Sequence, residues 1–436
     1  MKTKTFKGNT INVVTLGCSK NVVDSENLIT QLKANDFTVT HDSSDDSNIV
    51  IVNTCGFIDV AKEESINTIL EFAELKKQGG IEKLYATGCL SQRYKDELAK
   101  EIPEVDAWFG TLELPFLLKK LNADYKKELV GERWISTPMH YAYLKIAEGC
   151  NRTCSFCAIP LMRGKHLSKT IEDLVTEAKN LVAKGVKEII LISQELTYYG
   201  LDIYKKRALA DLLDALCTID GLDWIRLHYA YPSKFPIEVF EVMAKQPKVC
   251  HYLDVPFQHA DDAVLERMKR QTTVDEQRKL IETARKLVPD ICIRTTFLVG
   301  FPGETEEEFE NLCSFIKEMR FDRLGVFKYS HEEGTSAYEV IDDVPDEIKT
   351  LRAEKLMDIQ QSISYENNLK LVGTKLKVLI DRVEGEYFVG RSQFDSPEVD
   401  NEVLIPKEQF CRVGDFVLAK IDDVTEYDLM ASKVDN

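Results

Sequence analysis

Three cysteines lie close together near the middle of the chain, in the stretch EGCNRTCSFC at positions 148–157. They are Cys150, Cys154 and Cys157, separated by three and then two residues. A structural zinc site normally closes with four protein ligands, and no further cysteine or histidine follows before His166. An electron-transfer iron–sulfur cluster also takes four cysteines. Three thiolates on a 4Fe-4S cluster would leave one iron open, which is typical of a reaction site rather than of an electron carrier.

A second set of three cysteines is spread over the first 130 residues, one for each strand–helix unit. The sequence predicts strands at 11–17, 49–53 and 83–88, and these are followed in the same order by Cys18, Cys55 and Cys89. Because the carboxyl ends of parallel strands meet at one edge of a sheet, we expect the three thiols to converge there. One cysteine at the same place in each unit favours a shared metal site over coincidental packing.

The composition sets broad limits on function. The chain has 436 residues, of which 44% are hydrophobic and 30% charged, an ordinary balance for a soluble protein. No apolar run approaches the ~18 residues that a membrane span needs. The run INVVTL at 11–16 is too short for an export signal, so we expect a cytoplasmic protein. With 56 basic and 73 acidic side chains the net charge is −17, which favours a basic partner over a phosphate backbone.

Five further cysteines stand alone in the sequence. Disulfides are rare in long cytosolic chains, and a lone free cysteine usually packs as a small hydrophobic residue. We therefore expect plain packing for this set, which comprises Cys217, Cys250, Cys292, Cys313 and Cys411.

The middle of the chain repeats a strand and a helix six times. Strands are predicted at 141–147, 188–193, 224–229, 252–256, 292–299 and 323–329. Six such units predict an open, partial barrel of the TIM type, with its active site at the carboxyl ends of the strands. Cys150 follows the first of these strands. A helical stretch at 345–368 then leads to short strands and turns after Gly373, which predict a small all-β module.

We therefore predict an α/β protein with three domains. An N-terminal parallel-sheet domain of Rossmann-like type spans residues 9–130, a partial (βα)6 barrel spans 135–366, and an all-β module spans 369–436. We call the cysteines of the first domain the N-terminal trio and those of the second domain the barrel trio.

The string CNRTCSFC at 150–157 resembles the cysteine motif of the radical S-adenosylmethionine (SAM) enzymes. The resemblance implies that the amino and carboxylate groups of SAM chelate the open iron. It also implies that an electron from a cellular reductant splits the sulfonium to yield a 5′-deoxyadenosyl radical, which abstracts hydrogen from unactivated carbon. Phe156 matches the aromatic position near the adenine, although loop packing is an alternative reading.

Two later segments extend the resemblance. LISQELTYYG (191–200) follows the second barrel strand, where the family contacts the methionyl part of SAM, and TTFLVGFPGET (295–305) resembles a glycine-containing segment of the same pocket. The resemblance assigns cofactor contacts to Gln194, Glu195 and Gly300. FPGE also serves as an ordinary turn before a helix.

The order of domains resembles one branch of this family, the methylthiotransferases, whose final module is a TRAM-type domain. The resemblance implies a second 4Fe-4S cluster on the N-terminal trio, also with an open iron. It further implies that one SAM methylates a sulfur on that cluster and that a second SAM is cleaved reductively. The methylsulfur is then transferred to the substrate carbon from which the radical has removed hydrogen.

The branch contains tRNA-adenosine modifiers and a modifier of the aspartate β-carbon on ribosomal small-subunit protein twelve. LGCSKNVVDSE at 16–26 resembles the protein modifier, with Ser where that subgroup often has Pro. From Lys370 onward, nine basic and fourteen acidic side chains give a net charge of −5, which suits a basic ribosomal protein. The acidic residues of the segment at 390–403 are Asp395, Glu398, Asp400 and Glu402.

Two alternatives remain open from the sequence. A basic patch would favour tRNA as the substrate, and its candidate members are Lys375, Lys377, Arg382 and Arg391. A non-radical iron–sulfur electron carrier is the third reading. Arg294 would face either the cofactor's carboxylate or an internal ion pair, and His259 would face either the cavity or a structural partner. No definite role is predicted for His228, His251 and His331.

Overall fold

The computed structural model of the protein describes residues 10–44 and 47–434. Three main sheets follow one another along the chain: a five-stranded sheet, a six-stranded sheet and a closed five-stranded barrel. The outer ends of the predicted domains, residue 9 and residues 435–436, lie outside the described residues. In the part of the chain that is described, no helix is long and apolar enough to cross a membrane.

The first sheet is parallel throughout and has the strand order β2-β1-β3-β4-β5. Its strands are β1 (Thr10–Thr15), β2 (Thr38–His41), β3 (Ile49–Thr54), β4 (Lys83–Gly88) and β5 (Ala107–Trp108). Its helices are α1 (Ser19–Lys33), α2 (Asp59–Lys77), α3 (Cys89–Glu101) and α4 (Leu114–Lys120). The sequence predicts three of these strands and misses β2 and β5, since four and two residues carry little periodic signal.

The central strand β3 shows why the first sheet carries helices on both faces. All six residues of β3 are buried. Ile49 and Ile51 pack in one apolar cluster, while Val50 and Val52 pack in another. Successive side chains of a strand point to opposite faces, so a continuous apolar run is the pattern of a strand covered on both sides.

The second sheet has the order β13-β12-β11-β10-β9-β6 and is also parallel. Its strands are β6 (Tyr141–Lys145), β9 (Glu188–Ile192), β10 (Trp224–Leu227), β11 (Val249–Asp254), β12 (Cys292–Val299) and β13 (Arg323–Lys328), and a small hairpin joins β7 (Ala147–Glu148) to β8 (Leu167–Ser168). The helices are α5 (Ile159–Arg163), α6 (Ile171–Ala183), α7 (Leu209–Cys217), α8 (Glu238–Lys245), α9 (Asp262–Arg267), α10 (Val274–Leu287), α11 (Glu306–Met319) and α12 (Asp346–Leu369). The sheet is open, as the sequence predicts.

Local sequence signals fix two of these helices at their starts. Thr273 and Glu276 form a capping box at α10, and Thr305 and Glu308 form another at α11. In each box the threonine hydroxyl accepts from the third helical N–H, and the glutamate accepts from the threonine N–H. The helices cover the sheet and share its largest apolar cluster, which includes two of the lone cysteines, Cys217 and Cys313. The five lone cysteines themselves are buried.

The third sheet closes into a barrel in the order β14-β15-β16-β18-β17. Its strands are β14 (Lys375–Glu384), β15 (Tyr387–Ser392), β16 (Glu402–Pro406), β17 (Phe416–Val424) and β18 (Asp428–Lys433). The long helix α12 runs directly into this module and contacts both β13 and β17.

The module packs against the amino end of the six-stranded sheet. Arg226 of β10 donates to the main-chain oxygens of Ser392 and Gln393, at 3.3 and 2.7 Å, just after β15. The indole of Trp224 meets the ring of Phe416 edge to face, with centroids 4.7 Å apart. The first part of the segment between β15 and β16, including Asp395 and Ser396, is therefore buried between the module and the sheet.

This packing corrects one sequence interpretation. Asp395 pairs with Arg323, and Asp400 pairs with Arg294 at 3.2 Å; each aspartate side chain is 1% exposed. Glu402 pairs with Arg382 at 2.7 Å. The interpretation that these acidic residues face a basic partner is wrong for Asp395 and Asp400, because their charges are neutralised within the protein.

Candidate functional site

The N-terminal trio lies on three adjacent strands at the carboxyl edge of the first sheet. Cys18 is the N-cap residue of α1, Cys55 follows β3, and Cys89 opens α3. Cys55 and Cys89 are buried and Cys18 is exposed. Gly17 has φ +92°, and a Cβ added there would lie 2.9 Å from the Cys55 sulfur. The turn that carries Cys18 therefore runs directly against Cys55.

Asn21 and Arg163, which the sequence analysis did not single out, organise this edge of the sheet. Asn21 donates to the carbonyls of Leu16 and Thr54, at 2.7 and 3.0 Å, and so ties β1 to β3. Its side-chain oxygen lies 3.9 Å from the Cys89 sulfur and accepts a hydrogen bond from Arg163 of the second domain. Asn21 is visible in the sequence only as a polar residue in the first turn of a helix.

Burial favours the neutral form of two thiols in the N-terminal trio. Burial raises the pKa of the Cys89 thiol to about 12, although the positive charge of Arg163 opposes the effect. Burial likewise raises the pKa of Cys55. A metal that binds the sulfur overrides such a shift, because coordination deprotonates a thiol. Among the residues described, no three His, Cys, Asp or Glu side chains converge on a single ion. A 4Fe-4S cluster does not need such convergence, since each thiolate binds a different iron.

The barrel trio lies in the loop between β7 and α5. The Cys150 amide donates to the Gly164 carbonyl at 3.0 Å, and the Cys157 amide donates to the Cys154 carbonyl at 3.2 Å. These bonds fold the loop back on itself and fix the spacing of its sulfurs. Burial raises the pKa of Cys150 to about 11 and that of Cys157 to about 12.

Basic and aromatic side chains surround the barrel trio. Arg270 donates to the Cys154 sulfur at 3.5 Å, and the Tyr231 hydroxyl lies 3.7 Å from the same atom. The guanidinium of Arg152 lies 3.7 Å from the centre of the Tyr231 ring. The sequence analysis did not predict these side chains, because they come from different βα units.

The predicted SAM contacts have different surroundings. Gln194 donates to Glu148 at 2.6 Å, while its side-chain oxygen is buried and accepts no hydrogen bond from the described residues. Glu195 accepts from Thr197 through one oxygen and from Arg152, at 3.2 Å, through the other. Gln194 therefore keeps a free acceptor for a ligand, whereas Glu195 is occupied by protein donors.

Phe156 and Gly300 also have structural partners. Phe156 packs against the apolar cluster of Val264, Met268, Leu298, Phe301, Tyr329 and Ala337. Gly300 has φ +73°, and a Cβ there would lie 2.2 Å from Cγ of Lys349. The close approach of α12 therefore requires a glycine at position 300 whether or not a cofactor binds.

Arg294 and the remaining histidines have structural partners. Of the two roles considered for Arg294, the structure shows the internal ion pair, with Asp254 at 3.3 Å and with Asp400. The hydrogen-bonded histidines are His228 with Ser396 (2.8 Å), His251 with Asp290 (2.7 Å) and His331 with Tyr329 (3.1 Å). His259 lies 3.7 Å from Glu304, and its two buried ring nitrogens form no hydrogen bond with the described residues.

The segment Tyr229–Tyr231 lies between the two cysteine trios. The ammonium of Lys20, two residues after Cys18, lies 2.8 Å from the centre of the Tyr229 ring. The hydroxyl of Tyr231 lies 3.7 Å from the Cys154 sulfur. Two residues of one short segment thus contact the neighbourhoods of the two trios, Tyr229 near the N-terminal trio and Tyr231 near the barrel trio.

Three known families match the chain in succession. They are the uncharacterized protein family UPF0004 at residues 10–110, the radical SAM superfamily at 144–316 and the TRAM domain at 372–434. The chain also has the fold of the radical SAM methyltransferase TsrM from Kitasatospora setae, with a TM-score of 0.57 over 86% of this chain and 79% of that one at 14% identity. Fold and matches together define a radical SAM enzyme.

Full-length relatives narrow this class. A ribosomal protein uS12 methylthiotransferase RimO of Christiangramia forsetii is 60% identical over 98% of this chain and 95% of its own length. The proteins of the same name from Cytophaga hutchinsonii and Bacteroides thetaiotaomicron are 57% and 51% identical, over 100% and 98% of both chains. The enzyme is therefore a transferase of the methylthiotransferase type, and the chain belongs to the RimO family.

Proposed function

We propose that the protein methylthiolates the β-carbon of an aspartate on ribosomal protein uS12. The reaction would use two SAM molecules per turnover, two 4Fe-4S clusters and a one-electron reductant, in the cytoplasm. The observation that carries the proposal is the contact of one segment, Tyr229–Tyr231, with the surroundings of both cysteine trios. A sulfur donor on one trio and a radical source on the other must share one substrate, so their open sites need to face a common chamber.

The donor sets fit the two clusters. Each trio supplies three sulfurs and no fourth cysteine, which leaves one iron of each cluster free for an exogenous ligand. Cys18, Cys55 and Cys89 would hold the first cluster, and Cys150, Cys154 and Cys157 the second. When bound, the clusters and SAM supply a methylated sulfur and a carbon-centred radical that removes the substrate hydrogen.

The side chains around the barrel trio would bind and orient SAM. The free oxygen of Gln194 is a suitable acceptor for the ammonium of the methionyl part. Phe156 would lie beside the adenine, at the edge of the apolar cluster that it already contacts. Gly300 has no side chain, so the cofactor could approach its backbone closely. Glu195 would act by holding Arg152 in place, since both of its oxygens have protein partners.

The three predicted domains divide this work. Residues 9–130 would hold the sulfur-donating cluster, residues 135–366 would hold the radical source, and residues 369–436 would close the amino end of the barrel. The choice of uS12 rests on the names of the relatives and on the charges of the module. Arg382 and Arg391, two of the basic residues that would favour tRNA, are both held in ion pairs with carboxylates of this chain. No observation favours tRNA as a second candidate.

The test uses anaerobically reconstituted protein with SAM, dithionite and uS12. We expect about eight irons per chain, four for each of the two 4Fe-4S clusters. Cys150→Ala should remove both 5′-deoxyadenosine and methylthiolated uS12, because the radical source is lost. Cys55→Ala should still form 5′-deoxyadenosine but leave uS12 unmodified. Chromatography measures the nucleoside, and peptide mass analysis measures uS12.

Cys217→Ala is the matched control, since this thiol is buried on α7 and away from both trios. It should keep the iron content and both products of the wild type. Methylthiolation of uS12 by the Cys55→Ala variant would contradict the role of the N-terminal trio. Methylthiolated adenosine in tRNA with unmodified uS12 would contradict the proposed substrate.

A further inference from the structure

Lys20 is a largely buried residue whose ammonium has no counter-ion among the described residues. Its residue is 8% exposed, although it lies in the first turn of α1. Within residues 10–44 and 47–434, its ammonium forms no hydrogen bond and no ion pair, and its single close contact is the face of the Tyr229 ring. A buried ammonium is normally paired with a carboxylate, so an unpaired one is prepared for an anion that arrives from outside.

The other positive charges near Lys20 reinforce this reading. Burial and then the charges of Arg226, Arg294 and Lys20 hold the pKa of His228 well below its ordinary value. The contact with the Tyr229 ring places the charge of Lys20 beside the residue that follows His228. The two arginines are already paired with carboxylates, Arg226 with Glu188 and Arg294 with Asp254. Among the described residues, Lys20 is the cation of these three that has no carboxylate partner.

Tyr229, the residue whose ring contacts the Lys20 ammonium, has an uncommon backbone conformation. Tyr229 has φ +64°, which is unfavourable for a residue with a large side chain. Its amide donates to the Asp254 carboxylate at 3.0 Å, and its carbonyl accepts from the Leu196 amide at 3.1 Å. Strained residues that neighbours hold in place occur where a site needs a fixed geometry. The strain here fixes the ring on which the ammonium lies.

We propose that Lys20 binds the carboxylate of the substrate aspartate and thereby positions its β-carbon between the two cysteine trios. The inference rests on the proposed function and names a residue that would select the substrate. Lys20 follows Cys18 by two residues, and its platform precedes Tyr231 by two residues, so a carboxylate at Lys20 lies between the sulfur source and the radical source. The carbon next to that carboxylate is the β-carbon, which must be reached by both the radical and the sulfur.

The experiment compares binding of two forms of uS12 to the holoenzyme. One form has the natural aspartate and the other has asparagine at the modified position. We expect the wild type to bind the aspartate form at least tenfold more tightly. Lys20→Met keeps the apolar stem over Tyr229 but removes the charge, so it should bind both forms equally. Calorimetry measures the two affinities, and iron analysis checks that the clusters are intact.

Lys33→Met is the matched control. Lys33 lies at the other end of the same helix, and its ammonium lies 4.7 Å from the centre of the Trp134 ring. This variant should discriminate between the two forms as the wild type does. The inference is overturned if Lys20→Met retains the wild-type preference for aspartate, or if its main defect is weaker SAM binding. If the wild type leaves uS12 unmodified, the proposed function fails instead.

Discussion

The two ends of the six-stranded sheet both bind a neighbouring domain through charged side chains, but the charges are arranged differently. At the amino end, Glu188 is 0% exposed and pairs with Arg226 at 2.8 Å and with Arg391 of the module. At the carboxyl end, Glu332 accepts from Lys62 at 2.9 Å and from Arg93 at 2.8 Å, both in the N-terminal domain. Each carboxylate joins two domains and holds two cations.

The two joints differ in the surroundings of the cations that each carboxylate holds. Lys62 also pairs with Asp59, at 2.8 Å, and Arg93 also donates to the carbonyl of Glu333, at 2.8 Å. Arg226 and Arg391 also have second partners, but their own side chains are 0% and 2% exposed, whereas Lys62 is 16% exposed and its second partner Asp59 is 75% exposed. A deeply buried charge that loses a carboxylate is strongly destabilising, whereas a charge that can reach solvent is less so. We therefore expect the amino end to be the more permanent joint and the carboxyl end to open more readily.

Glu188→Gln should have the largest effect on stability. It leaves Arg226 without a carboxylate and Arg391 with Asp381 alone, so we expect a loss of about 3–5 kcal/mol. Trp224 reports on this joint, because it packs on Phe416 across the interface. The measurement is urea unfolding followed by fluorescence in a background where Trp108 and Trp134 are phenylalanine.

Lys377→Met is the control for this joint. Lys377 pairs with Asp223 across the same interface at 3.2 Å, but the two side chains are 50% and 40% exposed. Exposed pairs contribute ~0–1 kcal/mol, so this variant should unfold close to the wild type. Equal losses in the two variants would contradict the view that the burial of its charges makes the joint permanent.

Asp381→Asn should have an intermediate, pH-dependent effect. Burial opposes ionisation of Asp381, but Arg391 and His140 outweigh burial and hold the pKa of the carboxyl below its ordinary value of 3.8. The native state therefore binds the proton less readily than the unfolded chain. The stability that the carboxylate contributes is complete above the ordinary value and is lost as the pH falls through the lowered one.

We expect Asp381→Asn to be about 2 kcal/mol less stable than the wild type at pH 7, since it loses charged hydrogen bonds but leaves Arg391 with Glu188. The difference should narrow as the pH falls below 3.8, towards the lowest pH at which both proteins fold. Urea unfolding at a series of pH values measures it. A difference that stays constant with pH would show that Asp381 acts through packing rather than charge.

The sequence predicts the parts of the molecule that depend on local pattern. The six strands of the second sheet follow from their apolar runs, and the strand at 292–299 matches β12 residue for residue. The placement of Cys18, Cys55 and Cys89 at one sheet edge follows from the parallel βα rule alone. The spacing of the barrel trio is likewise a local property of a single loop.

The missed features depend on contacts between distant residues. Arg163 reaches Asn21 across 142 positions, and Lys20 meets Tyr229 only because α1 packs on the second sheet. Asp395 and Asp400 read as surface residues, because a sequence does not show whether a carboxylate has a buried partner. One signal was present: Arg226 and Arg294 stand inside apolar strand patterns, where an arginine normally needs a buried partner.

Glu332→Gln should have the smallest effect on global stability, about 1–1.5 kcal/mol, because the glutamine keeps an acceptor oxygen, Lys62 keeps Asp59, and Arg93 keeps the carbonyl of Glu333. Its effect should be local. The Thr335 amide donates to the Glu332 carbonyl at 3.3 Å, and we expect its hydrogen exchange to become faster as the carboxyl-end joint opens more often. Exchange in the module, which the amino-end joint holds, should stay at the wild-type rate. Faster exchange in both regions would mean that the two ends open together, and the distinction between a permanent and a separable joint would fall.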